Sequence, residues 1–241
     1  MKIVLVGGTL EALLLSVELI KDHDVSIVEI EAEIGLPVQH PGRVIDKSLL
    51  DQYMDSEQQS FLKLKANEQG WGCRWEWIVK HVAHHSARLG VSFFTRTQIL
   101  EHRIVDGCVH LSLNTSERNL PQHLIADKVI EMNPLSRTGP GRHQHIFAPD
   151  APQVYDHPPM SEWFGGIVSA SNLLSQAESH ADLILERNDG LVEFWWKTPS
   201  TWRPSGGFIE QCTSELPSQI ESISFDSALQ RARSYAKKVL K

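Results

Sequence analysis

The sequence predicts an α/β chain in which a parallel βαβ unit at the N-terminus precedes a mostly antiparallel, β-rich portion. Three observations lead to this. Residues 1–35 run from an apolar stretch through a glycine pair and a helically spaced stretch to a second apolar run. Asp106-Gly107 and Asp189-Gly190 each separate short β-type runs, as hairpin turns do. Finally, Trp163, Trp195, Trp196 and Trp202 gather in the last third of the chain, with Phe194 and Phe208 close by.

In the first unit, Lys2-Ile3-Val4-Leu5-Val6 is short and apolar enough to be a strand buried on both faces, and it stops at Gly7-Gly8. From Thr9 to Lys21, Leu10, Leu13, Leu14, Val17, Leu19 and Ile20 recur at helical spacing, with Glu11, Glu18 and Lys21 as polar complement. His23-Asp24 turns the chain into Val25 to Ile30, a second strand, and a parallel crossover joins such pieces in few residues.

The chemistry such a unit offers is anion binding. Unpaired N–H groups at the start of the helix and the positive end of its dipole attract a diphosphate, and glycines let the backbone come close. This is the Rossmann-type dinucleotide-binding arrangement, in which an acid ending the second strand accepts the adenosine ribose hydroxyls. Glu29, 22 residues after Gly7, is the expected acid, and Glu31 is a second candidate. In the pattern G-x-G-x-x-G/A, Gly7 and Ala12 fit the first and third positions, but Thr9 replaces the second glycine beside Gly8. A β-branched residue there is expected to crowd a diphosphate and to resist positive φ, and Glu11 adds negative charge to the same turn. Each effect weakens such a site by ~1 kcal/mol. Both an active nucleotide site and a lapsed one are open at this level.

Composition limits the classes further. The chain has 241 residues, enough for one large domain or two small ones. No stretch reaches the ~18 apolar residues of a membrane span. The opening strand leaves no room for a signal peptide, so a cytoplasmic protein is expected. Cys73, Cys108 and Cys212 lack metal spacing, which suits a reducing compartment. The formal charge of -7, without a basic stripe, points away from nucleic acid and toward a small-molecule partner.

Further along, Glu33 to Val44 holds two prolines and two glycines and reads as a shaped loop, with Arg43 placed to face a phosphate or simply the solvent. One or two helices are expected over residues 46–66, and another from Trp75 to Leu89, stopped by Gly90. Val91-Ser92-Phe93-Phe94 reads as a strand, Gln98 to Leu113 as a hairpin, and Ala126 to Met132 as a strand returning to the main sheet. Asn133 to Met160, with six prolines, reads as loop. Strands are then expected at Trp163–Ser169, Ala181–Glu186, Leu191–Lys197 and Gly207–Cys212, and a closing helix from Ser224 to Leu240 with Ser224 as N-cap. The expected partition is a nucleotide-binding domain over 1–135 with its hairpin at 98–114, a substrate portion over 136–223, and a helix over 224–241 packing back on the first domain.

The order of these pieces resembles the flavin-dependent oxidoreductases of the aromatic-hydroxylase and geranylgeranyl-reductase type. The resemblance rests on Gly7, Gly8 and Ala12 in the turn, Glu29 after it, and the loop from Glu33 to Arg43. It continues in Arg74 opening Arg74-Trp75-Glu76-Trp77-Ile78, and in Ala126-Asp127-Lys128-Val129-Ile130. It covers residues 1–132 by motif and the rest by pattern. It implies FAD as cofactor, the Gly7-to-Ala12 turn at the diphosphate, Glu29 at the ribose, and Arg43 and Arg74 at the phosphates or flavin edge. It also implies an apolar or aromatic substrate. The chain departs from the family after Ile130, where Glu131-Met132-Asn133-Pro134 replaces a glycine turn, and in lacking a late Gly-Asp motif. Two further readings therefore stand beside it: a non-catalytic relative serving as a binding or assembly subunit, and an NAD(P)-binding protein, for which Glu29 favours NAD.

Rival signals are weaker. His81 and His85 lie at i, i+4 with His84 between them, a metal-capable spacing that more often marks a solvated helix face; convergence of His143 and His145 would strengthen it. The tryptophans either line an apolar ligand pocket or form core, and adjacent Trp195 and Trp196 must face opposite sides of a regular strand. Ser169, Ser171 and Ser205 have no nucleophile-elbow context, and Cys73 has only Arg74 beside it. No catalytic residue is named by the sequence.

Overall fold

The computed structural model describes residues 1–35, 40–132, 145–147, 153–173 and 179–239. In chain order its elements are β1 (Lys2–Val6), α1 (Leu10–Leu19), β2 (Asp24–Val28), β3 (Arg43–Val44), α2 (Ser56–Phe61), β4 (Lys65–Asn67), β5 (Gly70–Gly72), α3 (Trp75–Arg88), β6 (Ser92–Phe94), β7 (Thr97–Val105), β8 (Cys108–Thr115) and β9 (His123–Ala126). There follow β10 (Lys128–Glu131), β11 (Gln153–Val154), β12 (Met160–Ser169), β13 (Leu183–Glu186), β14 (Leu191–Trp196), β15 (Glu210–Pro217) and α4 (Phe225–Val239). The chain divides into two compact units, each discontinuous in sequence. One comprises Met1–Leu36, Val82–Asp156 and Arg231–Lys241, the other Pro37–His81 and His157–Gln230.

The first unit holds a five-stranded parallel sheet in the order β11-β10-β1-β2-β6. Its centre, β1, is apolar because it is buried on both faces. The antiparallel sheet β7-β8-β9 covers one face: Val4, Val6, Val28 and Val129 pack against Ile99, Leu111, Leu113 and Ala126. Helix α1 runs between β1 and β2, almost wholly buried. Ser86 of α3 meets it, its hydroxyl donating to Val82 O at 2.8 Å and reaching Leu13 O at 3.5 Å. The expected single strand over Ala126 to Met132 is two strands in two sheets. Asp127 is the break: its N–H donates to Lys2 O and its carboxylate accepts Lys2 N–H, so β9 ends in the antiparallel sheet before β10 enters the parallel one.

The second unit is built on the antiparallel sheet β13-β14-β12-β15. Trp195 and Trp196 do face opposite sides. Trp195 packs with Trp163, Leu183, Leu185, Leu216 and Ile223, whereas Trp196 packs with Val168, Val192 and Phe194 under Trp202 and Phe208. Residues 46–66 form two short helical stretches, as expected, and differ only at their end. A 3-10 turn over Lys47–Gln52 and the short α2 give way at Lys65 to strand β4, which pairs with β5, itself paired with β3. The glycines explain this: a Cβ on Gly72 would overlap Glu186 O and one on Gly42 would overlap Cys73 O. The last strand also lies later than Gly207–Cys212, because Gly207 takes φ +76 and the chain becomes extended only from Glu210. Both hairpin turns form as read, with Asp106 and Gly107 at φ +50 and +80 and Gly190 at φ +80.

Helix α4 begins as the sequence implies, Ser224 Oγ accepting Ser227 N–H at 3.1 Å. Arg231 and Arg233 lie in its middle and pair with α1 through Glu11 and Glu18. Leu36 to Gln39, the stretch from Asn133 to Gln144 with His143, and Leu240 lie outside the described residues.

Candidate nucleotide site at the glycine turn

Strand β1 reaches its turn with Gly7 N–H donating to Val28 O at 2.9 Å, and Gly7 takes φ +104, a conformation that needs glycine. Thr9 does not meet the expected conformational strain. It is extended, with φ −73 and ψ 166, and serves as the N-cap of α1, its hydroxyl accepting Ala12 N–H at 3.2 Å. The position needs a cap rather than a left-handed residue, and threonine supplies one. The cap takes one of the donors that the helix start would otherwise present to an anion.

Of the two candidate acids, Glu29 is the one on the turn. Its Oε2 accepts Gly8 N–H at 2.5 Å and its Oε1 accepts Glu31 N–H at 3.0 Å. Its backbone is held on both sides, Glu29 N–H to Phe94 O at 2.8 Å and Thr97 N–H to Glu29 O at 3.0 Å. Burial pushes the Glu29 carboxyl above the usual glutamate range, and the backbone N–H groups of Glu31, Gly8 and Ile30 oppose that rise. Ile34 completes the wall. A Cβ on Gly8 would stand 2.9 Å from Ile34 Cδ1, 3.0 Å from Glu29 Oε2 and 3.1 Å from Ile34 Cγ2.

The negative charge that Glu11 brings to the first turn of α1 is met by Arg231, Nη2 to Oε1 at 2.7 Å. Tyr155, just past β11, lies with its ring 4.7 Å from that of Tyr235 on α4, and Tyr235 hydroxyl contacts Val154 O at 3.4 Å.

Arg43 and Arg74 belong to the second unit and have partners there. Arg43 donates from Nε to Gln69 O at 2.8 Å and from Nη1 to Ile220 O at 2.6 Å. Arg74 pairs with Glu76 at 2.6 Å and lies over the Trp77 ring at 5.6 Å. His81 stacks with Trp77 at 5.7 Å, and His145 Nδ1 accepts Ile99 N–H at 3.1 Å, burial lowering its pKa to about 4. Among the described residues no group of three or more His, Cys, Asp or Glu side chains is placed to share a metal. Cys73 is buried, and burial together with Glu193 holds its thiol well above the ordinary range, the opposite of an activated nucleophile.

The sequence reading missed three features. Ile34 against Gly8 was hidden in a loop, and Glu11 with Arg231 is a pair of residues 220 positions apart. The third is the buried network of Arg187, Asp189 and Glu193, for which charges flanking a hairpin turn were the available signal.

The geometry defines a chain with a Rossmann-type parallel unit and an antiparallel β unit. No family model and no curated protein matches the sequence. Solved structures do match in fold. A geranylgeranyl bacteriochlorophyll reductase-like protein from Thermoplasma acidophilum aligns with TM-score 0.61 and 13% identity over 99% of this chain and 78% of that one. The p-nitrophenol 4-monooxygenase PnpA from Pseudomonas putida aligns with TM-score 0.63 and 10% identity over 99% and 79%. A flavoprotein/dehydrogenase from Cytophaga hutchinsonii aligns with TM-score 0.56 and 12% identity, again over 99% and 79%. This chain spans 52% to 79% of the length of such chains. The fold expected from the resemblance is thus the fold found. No helix among the described residues is long and apolar enough to cross a membrane.

Proposed function

We propose that this chain binds FAD at the glycine turn and acts as a small flavin-dependent oxidoreductase on an apolar or aromatic molecule. The observation that carries the reading is the Glu29 carboxylate, held against Gly8 N–H at the mouth of the turn. An anionic acceptor at the end of β2 is what the two ribose hydroxyls of an adenosine require. The diphosphate would meet the N–H groups of Thr9 and Leu10, which take no partner among the described residues. The residues therefore fit the adenosine diphosphate half of the group. The flavin supplies hydride chemistry when bound. The chain's share is binding, orientation and exclusion of water, so no fixed nucleophile is required. NAD is the alternative dinucleotide, and the same acid favours it over its 2′-phosphorylated form.

A second reading, a relative that keeps the fold as a binding or assembly subunit, is favoured by one observation. Ile34 and Glu29 already fill the open side of Gly8. The two readings part in one experiment. Protein purified under native conditions is denatured, the released small molecules are identified by mass spectrometry, and the emptied protein is titrated with FAD and with NAD(H). Flavin release or FAD uptake supports the first reading. A colourless protein that takes up neither leaves only the second.

A further inference from the structure

Resting on the nucleotide reading of the turn, we infer that Arg231 is the cation that receives the diphosphate there, with Glu11 holding it in place until the anion arrives. Glu11 fills a variable position of the glycine pattern, and Arg231 lies 220 residues beyond it. The two arginines that the resemblance implies for the phosphates, Arg43 and Arg74, are bonded to carbonyls or a carboxylate of their own unit. The cation that meets the first turn of α1 comes from α4, in the same unit.

The placement is built rather than incidental. Glu11 is the second residue of α1, in the turn whose dipole end is positive, and Arg231 Nη2 lies 2.7 Å from its Oε1. Two turns further along α1, Arg233 Nε meets Glu18 Oε1 at 3.1 Å, so α4 is fixed beside α1 at two points. The end of α4 is tied down as well, Lys128 Nζ donating to Val239 O at 2.6 Å. An arginine presented by a helix clamped in this way loses little freedom on meeting an anion.

Both side chains of the Glu11–Arg231 pair remain 20% exposed, so a solute can reach them. A lone glutamate in this turn would repel a diphosphate from the donors that attract it. Paired with Arg231 it is neutralised, and the guanidinium can exchange the carboxylate for phosphate oxygens, which its planar fork matches in two hydrogen bonds. The exchange moves no proton and breaks no covalent bond. It makes phosphate recognition depend on α4, in a chain that lacks the family's late Gly-Asp motif.

The test compares adenosine with ADP by calorimetric titration of the emptied full-length protein. Arg231→Gln should weaken ADP about tenfold while adenosine, held by Glu29, changes less than about twofold. Arg231→Lys should recover part of the loss. Glu11→Gln, which removes the carboxylate charge from the pair, should tighten ADP several-fold without affecting adenosine. Equal ADP affinity in wild type and Arg231→Gln, or an equal fall for adenosine and ADP, overturns the inference while the nucleotide reading stands. Wild type that binds neither compound overturns both. Should Arg231→Gln not fold, Glu11→Gln decides alone, and an ADP affinity unchanged relative to adenosine refutes the role of Arg231.

Discussion

Arg187 Nη1 lies 3.1 Å from Glu193 Oε1, with less than a tenth of either side chain exposed. The same guanidinium grips Asp189 through Nε at 3.1 Å and Nη2 at 2.6 Å, so the hairpin between β13 and β14 is closed by a three-residue charge network. Glu193 Oε2 in turn accepts Gly42 N–H at 3.0 Å. A buried ion pair has weak net value, but removing one partner strands the other. Arg187→Met should therefore destabilise the protein by about 3–5 kcal/mol, and Arg187→Met with Glu193→Leu should return much of the loss. Urea unfolding of the two variants checks this. A single-variant loss below about 1 kcal/mol would show that water reaches the pair.

The N-cap at Thr9 separates stability from binding. Thr9→Ala removes the acceptor for Ala12 N–H and should cost about 1 kcal/mol in denaturant unfolding. Thr9→Gly restores the second glycine of the fingerprint, should cost only a few tenths of a kcal/mol, and frees Ala12 N–H for an anion. ADP should bind Thr9→Gly more tightly than wild type. If affinity stays level, the hydroxyl does not compete with the diphosphate.

Gly8 is constrained by neighbours rather than by its own backbone. Gly8→Ala brings a methyl to 2.9 Å from Ile34 Cδ1 and 3.0 Å from Glu29 Oε2. Such overpacking costs about 1–3 kcal/mol. Because the near atom is the end of an isoleucine side chain, adding Ile34→Ala to Gly8→Ala should recover part of the loss. Ile34→Ala alone should raise nucleotide affinity if the side chain narrows the site. Melting temperatures and an FAD titration of the three variants read out both effects.

The legible parts of this chain are those whose signal is local. The β1-turn-α1-β2 unit follows from periodicity, and both hairpins follow from dipeptides that accept positive φ. The opposed faces of Trp195 and Trp196 follow from strand geometry. What escaped depends on partners distant in sequence. The run from Ala126 to Met132 reads as one strand because the partner that divides it is distant in sequence: Asp127 bonds Lys2, 125 positions away. Strands of two or three residues such as β3, β4 and β5 are too short to carry a period, and what requires glycine at Gly42 and Gly72 is the backbone of Cys73 and Glu186. At the site, Glu29 was legible from its spacing to Gly7. Ile34 was not, because a loop has no periodicity to reveal which side chain returns to the turn.

Under the proposed function, Glu29 carries opposite pH effects on stability and on binding. Burial raises its pKa, so the folded protein holds this proton more firmly than the unfolded chain. Its contribution to stability therefore improves as pH falls through the raised value, and levels off below the ordinary glutamate range. Ribose binding behaves in reverse, since the anion is the better acceptor for two hydroxyls and is lost over the same interval. Lowering the pH from 7 toward 5 should thus weaken adenosine in wild type at a higher pH than an ordinary glutamate would. In Glu29→Gln, adenosine affinity should be lower at pH 7 and flat across that range. The gap in melting temperature between variant and wild type should shift in favour of wild type as the pH falls. Parallel melting and adenosine titrations at four or five pH values measure both curves. Wild-type affinity that is flat with pH, or unaltered by Glu29→Gln, would place the nucleotide away from this carboxylate.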